Sequence, residues 1–76
     1  MRWIDVGDDH LVYLRESNEQ RLLVHVARAA HDPVRVPLSV LPATDASAIA
    51  GDSLTVAEAS LRLDADGPTW RIVELG

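Results

Sequence analysis

Seventy-six residues suffice for one domain, and a chain of that size buries only ~60% of the surface its unfolded form exposes. With no cysteine, neither a disulfide nor a cysteine-based zinc or redox motif offsets that deficit. Apolar residues at 47% and charged residues at 25% place the chain among globular proteins, and a formal net charge of −5 disfavours nucleic acid.

All basic residues are arginines, scattered singly from Arg2 to Arg71, as on solvated strand faces. The lack of lysine beside abundant Ala, Val, Leu, Arg and Asp resembles GC-rich bacterial coding. No segment approaches the ~20 apolar residues of a membrane helix. Met1 to Asp5 lacks the apolar run of a signal peptide, so a cytoplasmic address is expected.

Taken in chain order, the period of apolar residues is two rather than 3.6, which predicts strands over 2–6, 10–16, 20–28, 33–39, 53–57, 59–64 and 69–75. In the second, Leu11 and Tyr13 oppose Val12 and Leu14. Ser17-Asn18-Glu19 then breaks the pattern, so 10–16 and 20–28 read as a hairpin. Leu22, Val24 and Val26 alternate with Arg21, Leu23, His25 and Ala27. His31-Asp32-Pro33 is the next break, with Pro33 admissible at a strand start. Val34, Val36 and Leu38 follow, alternating with Arg35 and Pro37.

Residues 41–50 fit a loop, a short edge strand, or a helical turn capped by Thr44 or Asp45. Gly51-Asp52 and Asp66-Gly67-Pro68 mark turns, and Leu61 and Leu63 flank Arg62. The last strand sets Trp70 and Ile72 against Val73 and Leu75. The whole predicts one all-β domain over residues 1–76, an antiparallel Greek-key β-sandwich of about seven short strands.

Strands 10–16 and 69–75 are apolar on both faces, whereas a two-layer sandwich asks for one. Their second face must meet a loop, the curvature of the fold or another domain.

No catalytic signature is present. The serines lack a Gly-x-Ser-x-Gly context, and the glycines form no phosphate-cradling loop. The acids lie in turns, where no cleft is available to desolvate one of a carboxylate pair. His10, His25 and His31 are spaced by 15 and 6 residues, which matches no zinc or iron motif. His25 and His31 can approach across a hairpin, but no third ligand is indicated. Surface or strand-edge histidines are therefore expected, with no metal and no cofactor. Asp64-Ala65-Asp66-Gly67 looks like the start of a calcium loop, but Leu75 stands where the bidentate Glu belongs. A turn is the better reading.

Trp3, Tyr13 and Trp70 remain. Such aromatics either fill a core or inter-domain seam, or stack on sugar rings. Trp3 is the leading seam candidate.

Residues 3–15, Trp-Ile-Asp-Val-Gly-Asp-Asp-His-Leu-Val-Tyr-Leu-Arg, resemble the entry into the C-terminal domain of α-amylase-superfamily glycosidases, the α-glucosidase-like enzymes of glycoside hydrolase family 13. Arg21–Val26, Asp32–Leu38, the Gly51-Asp52 to Leu63 hairpin and Gly67–Leu75 are similar to its later strands. Ala27-Arg28-Ala29-Ala30 departs from the Asn-Phe-Ser-like triplet common there, which points to a divergent member. The resemblance implies a non-catalytic accessory domain that packs on and stabilises an upstream (β/α)8 barrel. It also implies a parent acting on α-glucosidic bonds and, in some members, contact with α-glucan. No catalytic residue is carried over. The alternative is a stand-alone carbohydrate-binding or protein-interaction module.

Overall fold

The computed structural model of the chain describes residues 2–41 and 45–76. Among these, alternation of apolar and polar side chains produces eight strands: β1 (Arg2–Val6), β2 (His10–Glu16), β3 (Arg21–Ala27), β4 (His31–Pro37), β5 (Ala46–Gly51), β6 (Thr55–Ala57), β7 (Ser60–Ala65) and β8 (Thr69–Leu75). A 3₁₀ turn, Leu38–Val40, follows β4. Every pairing is antiparallel. Five strands form one sheet in the order β1-β2-β3-β8-β5, and three form the other in the order β4-β7-β6.

The all-β antiparallel sandwich is the expected one, and the chain changes sheet at β3–β4, β4–β5, β5–β6 and β7–β8. Between the sheets lie Val12, Leu14, Leu23, Val36, Leu41, Leu61, Leu63, Val73 and Leu75, with Ile4, Val34, Leu38, Ala46 and Leu54 packed against them. Fully burying each such aliphatic side chain is worth ~1.5–3 kcal/mol, which makes this layer the main stabilising element.

Local chemistry sets the turns. At β1–β2 the Gly7 amide donates to the His10 carbonyl at 3.0 Å, and a Cβ on Gly7 would collide with the His10 ring. Ser17 and Gln20 close the expected β2–β3 hairpin, the Ser17 amide donating to the Gln20 carbonyl at 2.8 Å. Gly51 has φ +80°, and a Cβ there would strike the Trp70 carbonyl, so the β5 end requires glycine.

One open choice is resolved and two sequence expectations change. The segment around residues 41–50 holds a true edge strand, β5, laid against β8 with a bulge between Ala48 and Ala50. Thr44, one of the two cap candidates for a helical turn, and Pro42, which fitted a loop or edge strand, lie outside the described residues. β4 starts at His31, two residues before the predicted start, because the chain bulges between His31 and Val34 and so accommodates Pro33 on an edge strand. The β6–β7 hairpin turns at Glu58 and Ala59, both left-handed at φ 53° and 58°, as a type I′ turn demands. No helix among the described residues is long and apolar enough to cross a membrane.

Candidate functional site

The two sheets treat their outer faces differently. On the three-stranded sheet, Arg35, Arg62 and Thr55 stand opposite one another across β4, β7 and β6, all exposed. That is the polar-out alternation of an ordinary sandwich.

The five-stranded sheet breaks the rule. Register places Trp3, Tyr13, Val24, Ile72 and Ala50 in one row across β1, β2, β3, β8 and β5. A neighbouring row reads Val6, Leu11, Val26 and Trp70. Trp3 is 53% exposed, Trp70 51% and Val6 60%, with Leu11 and Val26 also in the exposed class. Trp3 meets the edge of Tyr13 with ring centroids 5.7 Å apart.

The two rows form a contiguous apolar platform on the outer face, a feature that marks interaction surfaces when it is large. Polar groups bound it at both ends. At one end Arg15, Leu22 and Glu74 share a row, with Gln20 Nε2 donating to Glu74 Oε2 at 2.8 Å. At the other, Arg28 Nε donates to Asp9 Oδ1 at 2.9 Å, and the Thr69 hydroxyl donates to Asp52. An apolar centre with a polar rim is the anatomy of a docking surface.

Trp3, Tyr13 and Trp70 thus share one face, and none of them enters the core between the sheets. Trp3 and Trp70 are not adjacent, lying three strand positions apart, roughly 14 Å at ~4.8 Å per strand.

The histidines depart from expectation. β3 is apolar at both sets of alternating positions, and the fold buries the set containing Leu23, His25 and Ala27. His25 is fully buried rather than at a surface or strand edge. It does approach His31, with the two Nε2 atoms 2.9 Å apart. The His10 ring stacks on His31 with centroids 4.3 Å apart, and its Nε2 lies 2.6 Å from Asp5 Oδ2. The β1 bulge between Trp3 and Asp5 makes that contact, since the extra residue turns Asp5 to the inner face, opposite Val12. Burial, and next the Arg71 guanidinium, push the His25 pKa down to about 4. Among the described residues no three His, Asp or Glu side chains converge so as to hold a metal ion.

Arg71, directly opposite His25 across β3 and β8, is buried as well. It donates from Nη1 to the Ser53 carbonyl at 2.9 Å and from Nη2 to the Asp64 carbonyl at 2.8 Å. The first residue of the segment that looked like a calcium loop, Asp64, thus lies in β7 and faces an arginine. Sequence reasoning passed over Arg71; its place between Trp70 and Ile72 on a two-faced strand was the available signal.

No protein-family model matches the chain, and neither does any curated protein or solved structure.

Proposed function

We propose that this chain is a non-catalytic accessory domain that packs the outer face of its five-stranded sheet against a larger folded neighbour. From the resemblance of residues 3–15 and the later strands to the C-terminal domain of α-amylase-superfamily enzymes, we assign that neighbour as the (β/α)8 barrel of a glycosidase acting on α-glucosidic bonds. The observation that carries the reading is the asymmetry of the sandwich, polar on the outside of one sheet and apolar on the outside of the other. An apolar sheet face in water is unfavourable at ~25 cal/mol per Å², and a barrel surface of the same character removes that cost.

The genomic reading frame before Met1 tests the assignment. Continuation in frame into barrel-coding sequence supports it. A ribosome-binding site and stop codon immediately upstream overturn it.

A second reading, a carbohydrate-binding module, is favoured by exposed Trp3 against Tyr13, with exposed Trp70 farther along the same face. Flat rings of this kind stack on pyranose C–H faces. Titration with maltooligosaccharides followed by tryptophan fluorescence separates the two: a saturable change at millimolar sugar supports binding, and a flat response removes it.

A further inference from the structure

The proton positions in the pair of buried His25 and partly exposed His31 follow from its partners. His31 Nδ1 lies 2.7 Å from the Asp32 carbonyl oxygen, which can only accept, so Nδ1 carries the hydrogen. Neutral His31 therefore presents a bare Nε2. The 2.9 Å contact to His25 then requires His25 Nε2–H to donate. That leaves His25 Nδ1 bare, buried and without a hydrogen-bond partner. The bond joins β3 of the five-stranded sheet to β4 of the three-stranded one.

We propose that the His25–His31 pair is a proton-operated latch between the two sheets, closed while the pair carries at most one added proton and opened when acid charges both rings. One added proton leaves the bond in place, because the bare His25 Nδ1 can take the hydrogen while His25 Nε2 accepts from His31; protons on both rings set two N–H groups head to head at 2.9 Å. The proton on His25 also creates a second cation facing the buried Arg71 across β3 and β8. Asp64 favours a charged His25, but burial and Arg71 outweigh it. From β7, the Asp64 carboxylate lies 3.7 Å from Arg71 Nη2. From β1, Asp5 is engaged by His10 of β2, and the His10 ring adds charge beside His31 when it is protonated. Asp32 of β4 contributes its carbonyl to His31 Nδ1.

The depressed His25 pKa agrees in sign. An unfolded His25 takes its proton near pH 6.5, and the folded one only near 4. The stability the closed pair supplies is thus complete above about pH 6.5 and is lost as pH falls from there towards 4. The strands that hold His10, His25 and Arg71 inward present Leu11, Val26 and Trp70 outward, so opening is felt at the platform.

Urea unfolding of the full chain between about pH 8 and about pH 4.5 tests the latch, with His25→Gln as comparator. The glutamine amide can still donate to His31 but takes up no proton. The unfolding constant of the native chain should rise, relative to His25→Gln, by up to about tenfold per pH unit between 6.5 and 4. Equal pH slopes in the two proteins overturn the proposal.

Should His25→Gln fail to fold, imidazole NMR on the native chain decides the matter. A His25 Nε2–H protected from exchange at neutral pH, and lost on acidification, is the expected result. A His25 ring that titrates like an exposed one, with no protected Nε2–H, refutes the latch.

Discussion

Replacing Arg71 by alanine removes the clamp that ties β8 to the β5–β6 loop and to β7. Arg71 is 3% exposed, and its guanidinium satisfies the carbonyls of Ser53 and Asp64. Hydrogen bonds to a charged donor contribute ~1.5–3 kcal/mol each, and truncating one partner of a buried charged contact typically costs ~3–5 kcal/mol. At ~0.05–0.15 kcal/mol per residue, a 76-residue chain has roughly 4–11 kcal/mol in total. Arg71→Ala should therefore forfeit a third or more of the stability. Arg71→Met keeps the apolar stem volume and removes the buried charge, so its loss should be smaller, about 1–2 kcal/mol. The methionine variant should also raise the His25 pKa, because Arg71 is the largest cause of its depression after burial. Its stability should in consequence fall less steeply with acid than that of the native chain. Urea denaturation near pH 7.5, read by the emission of Trp3 and Trp70, measures the first effect, and imidazole NMR the second. An Arg71→Ala variant within about 1 kcal/mol of the native chain would refute the clamp.

Other outcomes follow from the same packing. Leu63→Ala, in the middle of the core and fully buried, should cost about 2–5 kcal/mol in urea unfolding. Glu58→Asn with Ala59→Gly supplies the residues a type I′ turn favours and should raise stability by about 1 kcal/mol, read as a higher urea midpoint. Val26→Thr, on the exposed platform, should change stability by less than about 1 kcal/mol while reducing binding of a hydrophobic dye such as ANS.

The strands most legible in the sequence were those bounded by turn residues with a mechanism. β2 ends at Ser17-Asn18-Glu19 and β8 follows Asp66-Gly67-Pro68, and both strands occupy the predicted ranges. The Glu58-Ala59 hairpin was opaque because neither residue prefers a left-handed backbone; pairing of β6 with β7 imposes it. β5 was ambiguous because Ala-Ser-Ala-Ile-Ala alternates only weakly and becomes a strand by lying against β8. On β3 both faces are apolar, so alternation alone did not say that His25 would point inward; the pairing of His25 with Val12 and Arg71 decides it. The apolar platform was legible for the complementary reason. Trp70 and Ile72 oppose Val73 and Leu75, and a two-layer fold can bury only one of those pairs.

The bulge in β5 has a further consequence for how molecules of this protein behave towards one another. β5 closes the five-stranded sheet with a run of small, uncharged residues and carries no lysine or proline to repel a visiting strand. The irregularity at Ala48–Ala50 interrupts the ladder midway and leaves Ile49 at 52% exposure. Deleting Ile49 would straighten that border into a continuous row of free amides and carbonyls. Such a border would template strand addition from the next molecule, converting the sandwich into a seed for fibrous assembly.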